Sequence, residues 1–221
     1  MDILDAIRNR SSVRAFLDKP VPKEQILQIL EAARFAPSGV NTQPWQVVVV
    51  GERSKKIIGD KIIEAKDMQL PENPDYHYYP HEWVEPYLSR RKACGLALYG
   101  ALHIAKEDTE KRKVAWYRNY HFFGAPAAMI IHIDAHLEIG SWLDVGMFIQ
   151  NILLAARGVG LETCAQAALA EYPDIIRETL SIPSSQKIIC GIAMGYANKT
   201  APINQYRTAR EPVEAFTRWA E

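Results

Sequence analysis

The sequence predicts an α/β fold, with one modest sheet covered by helices on both faces. Three observations lead there. Three short apolar runs without polar alternation, 46–50, 127–133 and 187–194, read as strands buried on both faces. Stretches with apolar residues at helical spacing separate them. A length of 221 residues with 48% hydrophobic and 24% charged residues supports one sizeable core.

The elements follow in chain order. Ile3, Leu4 and Ile7 give 2–10 a helical face. Pro22 followed by Lys23, Glu24 and Gln25 marks a helix start, and Ile26, Leu27, Ile29, Leu30 and Ala33 form its apolar side. Pro37 is the expected stop. The loop from Pro37 to Trp45 feeds the first strand, 46–50, and 54–65 reads as the next helix. Residues 67–93 change character, with prolines, histidines and aromatics from Tyr76 to Tyr87. They are too short for a core of their own and read as an insertion or lid within a single 1–221 domain. Helices are expected over 93–105 and 110–117, and a strand over 127–133. The helix at 141–158 has Ser141 and Asp144 in capping-box positions, apolar residues nearly all round, and Gly158 and Gly160 at its end. Such a helix is buried, often between subunits. A short strand at 161–165, a helix at 172–180 and the strand 187–194 follow. Residues 198–221 read as a polar tail that does not pack on its own core and wraps a partner subunit.

Lys plus Arg and Asp plus Glu both number 26, so the net charge is +0 and lacks the basic excess of a non-specific nucleic-acid binder. Neutrality also permits self-association. No apolar run is read as spanning a bilayer; 127–133 is interrupted by His132 and Asp134. The opening Met-Asp-Ile-Leu-Asp does not read as a signal peptide. Cys94, Cys164 and Cys190 have neither metal-type nor redox-type spacing, so a reduced, cytoplasmic location is expected.

Several motifs dissolve on inspection. Gly158-Val-Gly160 follows a helix and has Thr163 in the third position, so it is a helix stop and not a dinucleotide fingerprint. Neither a phosphate-binding Gly-Lys-Ser/Thr loop nor a Gly-x-Ser-x-Gly elbow occurs. His77 with His81, and His132 with His136, are read as surface or packing histidines, and no metal is expected. Arg90-Arg91-Lys92 is read as a solvated helix start.

Three segments carry chemistry. Arg10-Ser-Ser-Val-Arg14 sets two guanidinium groups and two hydroxyls in five residues. This suits a phosphate dianion, and equally a capped, charged helix end. The 37–45 loop offers Ser38, Asn41 and Gln43, whose side chains match the polar edge of a flat heterocycle or simply build a turn. The tail offers Arg207 and Arg210, either of which completes an anion site if the tail folds back.

Taken together and in this order, these segments resemble the FMN-dependent nitroreductase family. The resemblance spans nearly the whole chain. It rests on Arg10-Ser-Ser-Val-Arg-Ala-Phe16, Ala36-Pro-Ser-Gly-Val-Asn-Thr-Gln-Pro-Trp45, Phe122-Phe-Gly-Ala-Pro126, Ala155-Ala-Arg-Gly-Val-Gly-Leu161 and Gly195-Tyr196 before the arginine-bearing tail. Tyr78-Tyr-Pro80 and Arg118-Asn-Tyr-His-Phe-Phe123 are similar to the nitrobenzoate and nitrobenzene reductase branch.

The resemblance implies an α+β three-layer sandwich with a mixed or antiparallel central sheet, and a homodimer with FMN at the subunit interface. It implies that Arg10, Ser11, Ser12 and Arg14 hold the flavin phosphate and pyrimidine edge. Pro37, Ser38, Gly39, Asn41 and Gln43 would come from the other subunit. Arg210, or Arg207 in its place, would close on phosphate. Ala165, Gln166, Ala167 or Ala168 would present a backbone N–H to flavin N5, with Asn119, Arg118 and Gln150 near the ring. NADPH or NADH would pass hydride through N5 to a nitroaromatic or quinone in a ping-pong exchange, with no catalytic side chain. Tyr76, Tyr78, Tyr79, Trp83, Tyr87 and Phe122 or Phe123 would line the substrate pocket or pack on a neighbouring subunit. Two other activities fit the same fold: a different flavin chemistry (dehalogenation, flavin breakdown or ring dehydrogenation), or flavin binding without turnover.

Overall fold

The computed structural model describes residues 2–220. Its centre is a four-stranded sheet of β1 (Trp45–Val50), β2 (Ala127–Asp134), β3 (Glu162–Gln166) and β4 (Gln186–Gly195), in the order β1-β2-β4-β3. All three ladders are antiparallel. Ser12 adds one parallel bridge to Thr163 on the outer edge of β3.

The unbroken apolar run of β2 is explained by cores on both faces. Ala128 and Ile130 join one cluster with Ile58, Ile62 and Ile176, from α3 (Glu52–Asp67) and α7 (Pro173–Leu180). Met129, Ile131 and Ile133 join the other with Ile26 and Ile29 of α2 (Lys23–Ala33) and Val145, Phe148 and Ile152 of α6 (Ile139–Gly158). Helices on both faces of one antiparallel sheet make the fold an α+β three-layer sandwich. Trp45 stacks on Phe148 with centroids 4.7 Å apart, locking the edge strand to α6.

The chain opens with α1 (Ile3–Asn9), where the Asp2 carboxylate accepts from the Leu4 amide at 2.9 Å and the Asp5 amide at 3.3 Å. α2 ends at Ala33, short of the expected stop at Pro37. The residue before a proline avoids the helical region, so the chain leaves the helix before Ala36. α6 ends where the glycines predict, with Gly160 at φ +82°.

Other expectations need correcting. α4 spans Tyr87–Ala101, so it starts six residues earlier than the predicted 93 and absorbs Arg90-Arg91-Lys92 into its body. α5 (Thr109–Tyr117) follows, capped by Asp108. The capping box at Ser141 does not form. α6 begins at Ile139, and the Asp144 carboxylate accepts instead from the Gly39 amide at 3.1 Å. By length and composition α6 is long and apolar enough to cross a bilayer, which overturns the expectation that no run reaches that length. One side of it fills the core; the other does not, with Leu143 71% exposed. The tail also packs on its own chain at first: Ile203 is buried, and Asn204 donates to the Ala15 carbonyl at 2.7 Å. From Arg207 onward the described residues are exposed.

Candidate functional site

The 10–16 segment is an extended strip clamped on both sides. On one side Val13 donates its amide to the Thr163 carbonyl at 3.0 Å. On the other, the Arg14 amide donates to Asn204 Oδ1 at 2.8 Å, and Leu17 donates to the Tyr196 carbonyl at 2.8 Å. An extended strip held this way sends alternate side chains to one face. Arg14 extends from it, donating to the Tyr206 hydroxyl at 2.9 Å and the Ser12 carbonyl at 3.2 Å, with its guanidinium 5.9 Å from the Phe123 ring centre.

Positive charge gathers at the start of the strip. Burial lowers the Arg10 pKa, and the nearby Arg210 guanidinium lowers it further. Like charges near one another at a half-buried position would favour an anion there. Arg210 is exposed and donates to the Thr208 and Ala209 carbonyls at 3.2 and 2.9 Å and to the Thr208 hydroxyl at 2.7 Å. Arg207 acts on Glu162 and donates to the Asn204 and Tyr206 carbonyls at 2.8 and 2.9 Å. Glu162 pairs with Arg157 at 2.6 Å. Burial raises its pKa, while Arg157, Arg10 and Arg207 pull the other way. One carboxylate thus faces three guanidinium groups, and the region stays net positive.

Beyond Arg14 the strip opens on a cavity of about 370 Å³. Residues 164–168, at the end of β3 and the start of the 3-10 turn Ala167–Glu171, form part of its wall. Tyr76, Tyr78, Tyr79, Tyr99 and Trp116 provide aromatic surface. Gln166 is buried; its amide nitrogen donates to the Asn119 carbonyl at 2.8 Å, while its Oε1 has no partner. An unpaired buried acceptor on a cavity wall is a place for a ligand donor.

The stretch leading into the cavity is firmly moored. Asp75 pairs with Arg177 and accepts from the Ile188 amide at 2.7 Å, and the Tyr76 hydroxyl donates to the Ile189 carbonyl at 2.6 Å. Beyond Tyr76 come aromatic contacts, Tyr78 on Tyr79 at 4.7 Å and Tyr79 near Trp83 at 5.4 Å.

Of the residues singled out from the sequence, Arg14, Asn119, Ala165, Gln166, Ala167 and Ala168 line this cavity, and Arg10 and Ser12 lie on the strip beside it. Ser11 faces a neighbouring cavity of about 530 Å³ shared with Arg157, Glu162 and Arg207. Pro37, Ser38, Gly39, Asn41, Gln43 and Gln150 are not on the cavity wall of this chain. The 37–43 loop closes on itself instead: Ser38 Oγ accepts from the Gln43 amide at 3.0 Å, and Gln43 Nε2 donates to the Asn41 carbonyl at 3.2 Å. Val40, Asn41 and Gln43 all have positive φ, and the Val40 side chain is 98% exposed. Phe123 lines the cavity whereas Phe122 is fully buried; Trp83 and Tyr87 stand off it. The sequence reading missed Tyr99, Trp116 and Tyr206. The first two lie on helices of mixed polarity, where an aromatic reads as ordinary packing until the facing wall is known.

A model of the nitroreductase family matches residues 7–196. The chain is 39% identical to the 4-nitrobenzoate reductase of Nocardioides sp. (strain LMS-CY), over 97% of this chain and 88% of that protein. It is 37% identical to the nitrobenzene nitroreductase of Ectopseudomonas oleovorans, over 96% and 94%. The solved structure of the FMN- and NADPH-dependent nitroreductase NfnB from sphigopyxis sp. strain HMH superposes with a TM-score of 0.97 at 33% identity, covering 100% of both chains. The fold matches a solved structure along its whole length, the sequence matches its relatives along almost all of theirs, and the family model spans residues 7–196, so the chain belongs to the nitroreductase family.

Proposed function

We propose that the protein is an FMN-dependent NAD(P)H oxidoreductase that reduces small nitroaromatic or quinone-type acceptors as a homodimer. The observation that carries this reading is the clamped strip bearing Arg10, Ser12 and Arg14, which ends in an aromatic cavity. A flavin mononucleotide needs a dianion site, a polar edge and a flat apolar berth, and the residues present fit each need. Arg10 and Arg210, with Ser11 and Ser12, would hold the phosphate through charge-assisted bonds. Arg14 would set positive charge beside the ring edge and stabilise negative charge developing there. Gln166 Oε1 supplies an acceptor, the backbone of 165–168 supplies donors, and Asn119 adds an amide.

FMN, when bound, supplies the two-electron chemistry that no side chain here provides. The side chains bind, orient and exclude water. Reduced nicotinamide and then the acceptor would occupy the one aromatic cavity in turn, giving a two-step exchange. Tyr76, Tyr78, Tyr79 and Trp116 offer stacking area and keep bulk water away. No protein nucleophile or acid–base dyad is required.

The second copy would supply Pro37, Ser38, Gly39, Asn41, Gln43 and Gln150. In this chain they lie off the cavity, and Leu143 leaves α6 with apolar surface to cover. In this reading 1–221 is one domain, 67–93 acts as its lid, 198–221 is the tail and the location is cytoplasmic.

The absorbance spectrum of the purified protein tests the proposal. A flavin band that NADPH or NADH bleaches without oxygen, and that 4-nitrobenzoate or menadione restores, is the expected result. A colourless protein that cannot be reconstituted with FMN overturns it.

A further inference from the structure

Two carboxylates reach the wall of the aromatic cavity: Glu72, from the irregular stretch after α3, and Glu171, at the end of the turn after β3. They share one ammonium. Lys66 Nζ lies 2.8 Å from Glu72 and 2.9 Å from Glu171, and the Tyr120 hydroxyl donates to Glu171 at 2.8 Å. Lys66 also sits 5.3 Å from the Tyr172 ring centre and 5.7 Å from that of Tyr120, so its charge is held back among aromatic rings. Burial opposes that charge, but the hydrogen bonds that Lys66 donates to the two carboxylates outweigh it and raise the Lys66 pKa. Two negative groups against one positive leave this part of the wall with an excess of one negative charge.

Arg14 also lines the wall; its partners, the Tyr206 hydroxyl and the Ser12 carbonyl, are neutral and leave its charge in place. In the functional reading above it faces the cofactor edge. Arg112 reaches no further than the Tyr99 ring, 4.0 Å from its centre. His77 also lines the cavity.

We propose that the Glu72–Lys66–Glu171 cluster makes the acceptor side of the cavity electronegative and selects uncharged nitroarenes over nitrobenzoates. The inference rests on the functional reading and narrows its substrate class. Nitrobenzene and 4-nitrobenzoate share the group that is reduced and differ by one carboxylate. A net unit charge near that carboxylate, at the intermediate dielectric of a partly open cavity, is worth about tenfold in discrimination. Selection here acts by repelling the wrong partner.

The experiment compares kcat/KM for nitrobenzene and 4-nitrobenzoate with the holoprotein at pH 8 and low ionic strength. Equilibrium dialysis of benzamide and benzoate, which are not reduced, supplies a readout independent of turnover. The expected preference is about tenfold for nitrobenzene, with benzamide bound more tightly than benzoate. Glu72→Gln removes one of the two carboxylates and should narrow the kinetic gap to about threefold or less, through KM for the benzoate. Glu171→Gln, which keeps an acceptor for Tyr120, is the second variant, and a narrowed gap in either one supports the proposal. Equal or better use of 4-nitrobenzoate by the unaltered protein overturns it, as does a gap unchanged in both variants or no binding difference between the two probes. A protein that reduces neither nitro compound counts against the functional reading, and the dialysis still decides the charge preference.

Discussion

The backbone amide of Gly39 donates to the Asp144 carboxylate at 3.1 Å, tying the 37–43 loop to the first half of α6. Leu143, the neighbour of that carboxylate, is 71% exposed, and Ile139 one turn earlier is 80% exposed. Loop and helix therefore share one face, and that face is apolar where a lone chain would be expected to be polar.

Assembly through this face is the first prediction. Leu143→Glu places a charge where two copies would meet, and light scattering should then report a monomeric mass. Flavin content should fall with it, because in the proposed dimer the loop residues would come from the second copy. The unaltered protein should be dimeric with reductant present, since Cys94, Cys164 and Cys190 are all free thiols. A dimer that survives Leu143→Glu with its flavin intact would place the interface elsewhere.

Arg10→Ala removes one of the guanidinium groups proposed to hold the phosphate. A charge-assisted bond to phosphate contributes about 1.5–3 kcal/mol, so FMN affinity should weaken by roughly tenfold to a hundredfold. The ratio of flavin to protein absorbance after gel filtration reads this directly. A variant that keeps full flavin through dilution would show that phosphate is held elsewhere.

Asn204→Ala tests the clamp on the cofactor strip. Asn204 accepts from the Arg14 amide at 2.8 Å and donates to the Ala15 and Asn198 carbonyls at 2.7 and 2.8 Å. Losing it strands part-buried backbone groups, at about 1–3 kcal/mol for each that finds no water. The melting temperature should drop by several degrees, and flavin should be lost before the rest of the fold melts. A melting curve that overlays the parent's would mean that the strip is held by β3 alone.

His132 supplies a pH dependence. It lies buried in β2 with Nδ1 3.0 Å from Gln186 Oε1, and burial lowers its pKa. The unfolded chain then takes up a proton near pH 6.5, before the folded one does. Its contribution is therefore present above about pH 6.5 and is lost as pH falls toward the lower folded value. Melting temperature should decline from pH 7.5 to 5.5, and His132→Gln should flatten that decline. An unchanged slope in the variant would assign the pH dependence to other groups.

The two inner strands were legible because they are doubly buried, and the runs at 127–133 and 187–194 announce themselves without any knowledge of neighbours. The run at 46–50 is a strand as expected but not one buried on both faces: it lies at the sheet edge, with Val49 46% exposed. The 10–14 strip was legible as composition, two arginines and two serines together, but not as geometry. Which tail arginine would complete the proposed anion site depends on how the tail turns at 202–204, which no local pattern specifies. Capping signals misled at Ser141 because Asp144 has a stronger tertiary partner in Gly39. The Glu72–Lys66–Glu171 cluster was invisible in the sequence: Lys66 and Glu171 lie in different elements, and their meeting follows from the packing of α3 against the turn after β3.

The bond between Arg14 and Asn204 joins positions 190 residues apart. The strip that carries Arg10, Ser12 and Arg14 is therefore completed only when a segment far along the chain has been made and has folded back upon it. In the proposed reading, a chain truncated before Asn204 would keep its sheet and yet hold flavin mononucleotide weakly.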